Sequence, residues 1–180
     1  MKKLAKLTAL LLTGVMLLLL ASCGAAPNPG GGSVLTADEA KAKQEFIKAI
    51  NEERRKAGKS SVREVQALTR LEQEFIEHFR EAGTDGIPVS EAKQIEQELF
   101  DKQKKAGWQY TAGFKYYDGD TIAKLNKVYE GDTPEFRKKL KDWGLVDSIS
   151  LDDPSAVLSM GVVTIEGKIY WSVSVLKPLT

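Results

Sequence analysis

The sequence predicts an α+β domain, and three observations carry that prediction. Apolar residues recur at helical spacing over most of the chain between Thr36 and Trp143. Near the C-terminus the period changes to two, where Ile169, Trp171, Val173 and Val175 alternate with Tyr170, Ser172 and Ser174. The segment 34–180 also has the length of one domain around a single core. Helices first and a hairpin last make a sheet covered by helices the simplest architecture. The alternation predicts one sheet face buried by the helices and a more polar opposite face.

Each element has a local reason. Thr36-Ala37-Asp38-Glu39 reads as a capping box, in which Thr36 accepts from the Glu39 amide while Glu39 reaches back. The helix after it turns Phe46, Ile47 and Ile50 to one face and stops at Gly58. Ser61 and Glu64 read as a second cap, after which Val65, Leu68, Leu71, Phe75 and Phe79 form the strongest stripe in the chain, ending at Gly83. Asp85-Gly86 and Pro88 make a turn, and Ser90 opens a third helix with Ile95, Leu99 and Phe100 inward, closed by Ala106-Gly107. The stretch 108–117 reads as a further strand. Ile122, Leu125 and Val128 share one side of a short fourth helix, and Thr133-Pro134 opens a fifth with Phe136, Leu140 and Trp143 inward before Gly144. Glu166-Gly167 is a two-residue turn joining strands over 162–165 and 169–176.

Ahead of the domain, Lys2 and Lys3 precede an apolar run from Leu7 to Ala21 that closes on Leu19-Leu20-Ala21-Ser22-Cys23-Gly24. A basic start, an apolar middle and small residues before the cut are the parts of a secretory signal. The run is shorter than the ~20 apolar residues of a spanning helix, and Thr8 and Thr13 interrupt it. The cysteine makes the segment resemble a bacterial lipobox. That resemblance implies a signal peptide over 1–22 and a mature N-terminus at Cys23 carrying diacylglycerol on sulfur and a further acyl chain, such as palmitate, on nitrogen. Each buried methylene contributes ~0.8 kcal/mol, so such a terminus holds its protein on a lipid bilayer. Gly24 stands where aspartate would resemble an inner-membrane retention signal, which implies the outer membrane in a two-membrane bacterium. Residues 23–33 then form a tether rich in glycine and proline.

Charge and cysteine usage exclude several classes. Loss of Lys2, Lys3 and Lys6 with the leader takes the formal net charge from +1 to −2. A chain without a dominant sign, exported from the cytoplasm, is not a nucleic-acid binder. The one cysteine is the residue expected to be lipidated, so no disulfide, thiolate metal site or cysteine nucleophile is expected in the folded part. No cofactor is implied, and Gly30 to Gly32 lack the lysine and strand context of a phosphate loop.

The domain resembles the CAP superfamily, also called SCP or PR-1-like. The resemblance rests on Ile50-Asn51-Glu52-Glu53-Arg54, a following helix through Leu68 and Phe79, Ala106-Gly107-Trp108, and Gly161-Val162 before Tyr170-Trp171. It implies an α-β-α sandwich. It also implies two losses: Phe114 stands where the family carries a cavity glutamate, and Phe136, in Thr133-Pro134-Glu135-Phe136-Arg137, where bacterial members carry a cavity histidine. Aromatic rings at both places remove a base and a metal ligand and add apolar surface. The resemblance therefore implies a binding domain rather than an enzyme, with no metal, and a candidate ligand cleft at Phe114, Phe136, Arg137 and His78. An apolar or amphiphilic ligand, or an envelope or host protein, is the expected partner.

Other residues have plainer readings. His78, the one histidine, sits on the edge of the second helix's stripe, packing on one side and hydrogen bonding on the other. Glu74 and Glu81 lie near it, too few for a closed metal site. Asp118-Gly119-Asp120 and Asp152-Asp153 lack calcium-loop spacing and read as turn and cap residues. Arg137, Lys138, Lys139 and Lys141 read as the solvated face of a helix, or as a contact to anionic headgroups. Trp108, Tyr116, Tyr117 and Tyr129 would serve a surface interaction or adhesion module. A wall hydrolase or peptidase would have to rely on paired carboxylates.

Overall fold

The computed structural model describes residues 34–114 and 117–180, with Phe114 described by its backbone alone. The leader 1–22, Cys23, the tether and Tyr116 lie outside the described residues. Four helices and two antiparallel sheets make up the described part, which is α+β as the sequence predicts. None of these helices is long and apolar enough to cross a membrane.

Helix α1 (Ala37–Lys56) starts at the expected capping box, with Thr36 accepting from the Glu39 amide and Glu39 from the Thr36 amide. Helix α2 (Gln66–Ala82) departs from expectation at its start. Val65 is its N-cap without a side-chain bond, and Ser61 takes no part. Glu64 instead bridges Leu158 and pairs with Lys43 at 3.0 Å, so tertiary pairing has claimed the residue that local pattern assigned to a cap. Strand β1 (Ile87–Pro88) leads into α3 (Val89–Lys105), which has no side-chain cap. Strand β2 (Trp108–Phe114) occupies the predicted strand region.

The expected short helix at Ile122, Leu125 and Val128 is not formed. The chain there makes β3 (Tyr117–Asp118), β4 (Ile122–Leu125) and β5 (Val128–Tyr129). A spacing of three reads as helical, but strand pairing overrides it: β4 lies between β1 and β3 in a small sheet, Ala123 opposite Ile87 and Leu125 opposite Tyr117. Helix α4 (Pro134–Asp142) begins as predicted, with Thr133 capping the Phe136 amide.

The main sheet is a long hairpin, β6 (Val157–Ile165) and β7 (Lys168–Pro178), joined by Glu166 and Gly167, which both have positive φ as the favoured hairpin turn requires. Strand β7 is central. Strand β6 lies on one side of it, and β2 and β5 share the other.

Both faces of this sheet are covered, which corrects the expected polar face. One face carries Leu158, Met160, Val162, Trp171, Val173 and Val175, packed with Phe46, Ile50, Phe136 and Leu140 of α1 and α4. The other carries Val157, Ser159, Gly161, Val163, Ser172 and Ser174 and lies under α2 and α3. The serines of this face are polar as expected, but they are also small, and small residues let a helix come close. A methyl group added to Gly161 would lie 2.7 Å from the Glu72 carbonyl of α2, and Ser159 donates to the Leu68 carbonyl at 2.8 Å.

The outer side of β6 is occupied by side chains and by the loop before α2. The Leu158 amide donates to the Arg63 carbonyl. Gln73 bonds the Val162 amide and carbonyl at 3.0 and 2.7 Å, and Glu39 accepts from the Thr164 amide at 2.7 Å while pairing with Arg80 at 2.8 Å. Burial alone would raise the Glu39 pKa; the bonds from Arg80, Thr36 and Thr164 outweigh it and hold the carboxyl at about 2.

Arg54 ties down the loops beyond α1. Its fully buried guanidinium donates to the carbonyls of Ser60, Val146 and Leu151 at 2.9, 2.9 and 3.0 Å and to Asp152 at 3.2 Å. Asn51, one turn earlier, bonds both the amide and the carbonyl of Val62. The Ile50-Asn51-Glu52-Glu53-Arg54 segment is thus a clamp on two loops, the one before α2 and the one before β6.

Candidate functional site

Of the residues expected to form a cleft, Phe136, Arg137 and His78 lie in three different surroundings, and the side chain of Phe114 lies outside the described residues. Phe136 is 0% exposed and packs against Phe46, Tyr129 and Trp143 with ring centroids 5.2, 4.9 and 6.2 Å away. An apolar ring on the inward face of α4 belongs to the core. Arg137 turns outward to Asp132, Glu52 and Glu53 at 2.6, 2.7 and 3.2 Å. His78 lies across the sheet from Phe136, exposed on α2 in a shallow depression with Ser90, Glu91, Gln94 and Glu98, rather than half-packed. Phe114 pairs through its backbone with Val173.

The other candidates have structural partners. Glu74 pairs with Lys102, and the described residues contain no group of three metal-ligating side chains. Asp152 holds Arg54 and Lys59, and Asp153 caps Ser155 and pairs with Lys177. Of the basic run, Lys139 pairs with Glu130 and Lys141 with Glu53. Tyr117 packs on Phe79 and donates to Glu96, Tyr129 donates to Glu45, and Trp108 packs beside Leu68 and Leu176.

A different site emerges between α2, α3 and the sheet. Glu72 is fully buried on the sheet-facing side of α2. Its Oε1 accepts from Ser172 at 2.9 Å, whereas its Oε2 is buried with no hydrogen-bond partner among the described residues. Burial pushes the carboxyl up to about 7; the Ser172 and Ser174 hydroxyls draw it back, and the Glu96 charge adds to the rise. Gln103, fully buried on α3, has neither its amide nitrogen nor its oxygen bonded. Such orphaned polar atoms are rare in folded proteins.

Strand β2 closes the site. Its register slips between Tyr110 and Ala112, and Thr111 in the slip donates to the Val175 carbonyl at 3.0 Å. The extra residue puts Tyr110 and Gly113 on the same face, because Tyr110 pairs with Leu176 and Gly113 with Ser174. The Tyr110 hydroxyl lies over Gly113, in space that any side chain there would fill. The Tyr110 ring rests on Phe100 of α3, centroids 4.4 Å apart, and the residue remains 37% exposed. Burial raises its hydroxyl pKa, and the Glu96 and Glu72 charges reinforce the shift. Tyr110 is thus the half-exposed margin of a buried site.

The sequence held a signal for this site. Leu68, Glu72, Phe75, Ile76 and Phe79 lie on one stripe, and an acid in the middle of it has no structural reason to be there. Gln103 follows Leu99 by one turn in the same manner.

Fold and site together define an α+β domain with helices on both faces of its main sheet and an uncompensated carboxyl between two layers. Comparison with protein-family models, with curated proteins and with solved structures finds no match.

Proposed function

We propose that this chain is an envelope lipoprotein, anchored to a bilayer through acylated Cys23, whose domain binds a small ligand between α2, α3 and the sheet. The observation that carries the binding role is a set of buried polar atoms without hydrogen-bond partners, the Glu72 Oε2 and both polar atoms of the Gln103 amide. A fold gains nothing from desolvating such groups, so their presence points to a ligand. The likeness to the CAP superfamily belongs to the same proposal. Helices on both faces of an antiparallel sheet are compatible with it.

Two experiments test it. In a bacterium fed radiolabelled palmitate, the parent chain should carry label and sediment with membranes, and Cys23→Ala should lose both. An unlabelled parent chain, or a variant still in the membrane fraction, would refute the anchor. The binding role predicts that Glu72→Leu with Gln103→Leu raises unfolding stability by about 2 kcal/mol, because apolar replacement of buried unpaired groups is often stabilising. A clear loss of stability would make the two residues structural.

A further inference from the structure

We infer that the site around Glu72, between α2, α3 and the sheet, takes a primary amine in its cationic form. This rests on the proposed binding role and names the ligand class. The unpartnered Glu72 oxygen has no basic side chain bonded to it. Of the charged groups that act on it, Glu96 of α3 is negative, and Lys43 of α1 is held by Glu64 at 3.0 Å. The titratable hydroxyls on this side, Tyr110 of β2 and Tyr117 of β3, are neutral, and Tyr117 donates to Glu96. The field in the site is therefore negative, and a carboxylate in a low-dielectric layer needs a cation beside it or a proton on it.

A primary ammonium matches the remaining atoms. It carries three donors and no acceptor. The site offers the Glu72 Oε2 and the lone pairs of the Ser172 and Ser174 hydroxyls, and the neighbouring α3 holds the unbonded Gln103 Oε1. Phe100 and Tyr110 lie against each other at the margin, tilted at 41° with centroids 4.4 Å apart, and add aromatic surface beside which an alkyl stem can pack. A neutral polyol would leave the carboxyl protonated and the negative field unanswered. A divalent metal lacks its ligands, since no three-residue donor group exists among the described residues.

The test is calorimetry and thermal unfolding of the full chain in detergent micelles, with alkylammonium chlorides from methyl to butyl against sodium chloride at equal ionic strength. The expected result is saturable stabilisation with proton release. Apparent affinity should be about tenfold lower at pH 6 than at pH 8, as an ionised Glu72 requires, and binding should be lost in Glu72→Gln. Binding that is independent of pH or persists in Glu72→Gln overturns the inference, as does an absence of binding. If the amines fail while acetamide or glycerol stabilises the parent chain and not Glu72→Gln, the site stands and the ligand class falls. If none acts, the binding role falls with it.

Discussion

Arg54→Met is expected to cost this fold about 4 kcal/mol, read as a lower midpoint in urea. The arithmetic rests on what the guanidinium leaves behind. Its bonds to Val146 and Leu151 are buried, and each buried carbonyl without its donor costs about 1–3 kcal/mol. Methionine fills much of the stem's volume, so the loss reports the bonds more than a cavity. Arg54→Lys should rescue little, since an ammonium at one point cannot reach three carbonyls on two loops as the planar fork does. A methionine variant within 0.5 kcal/mol of the parent, or full rescue by lysine, would show that these loops hold themselves.

Stability should fall from mildly acidic to neutral pH, and Glu72 should be the cause. Its carboxyl titrates near 4.5 when unfolded and about 7 in the fold. A raised pKa means that the contribution is complete below the unfolded value and is lost as pH climbs through the folded one. The loss between pH 4.5 and 7 is roughly 3 kcal/mol. Glu39 has the opposite sign: at about 2 in the fold, it stabilises above pH 4.5 and loses that contribution as pH falls towards 2. The maximum should therefore lie at about pH 5. Glu72→Gln, which keeps the bond to Ser172, should flatten the alkaline limb, raise stability at pH 8 by roughly 3 kcal/mol and leave it unchanged at pH 4. Parallel denaturation profiles for parent and variant would assign the limb to other groups.

Local chemistry was legible, and pairing at a distance was not. The Thr36 and Glu39 box, the Thr133-Pro134 start and the Glu166-Gly167 turn involve neighbours in sequence, and each forms where its pattern predicts. Strands β4 and β5 escaped because each has a partner far along the chain, Ile87 for Ala123 and Ile169 for Tyr129, some 35 to 40 residues away. The second sheet face escaped because serine reads as polar when its smallness matters more. The expected cleft came from a family resemblance, and Phe136 answers instead to its own apolar ring. Glu72, Gln103 and Arg54 interrupt apolar stripes, and attention to those interruptions would have located both the clamp and the site.

The dressing of β6 by Gln73, Glu39 and the Arg63 carbonyl has a consequence for life on a surface. A lipid anchor, as proposed here, confines molecules to two dimensions, where collisions between copies are frequent and share one orientation. A bare strand edge under such crowding would template pairing between neighbours and seed aggregates. With its edge already spoken for by its own side chains, β6 offers a neighbouring copy nothing to zip onto. Gln73→Leu would expose that liability as self-association on vesicles well before any loss of the monomer fold.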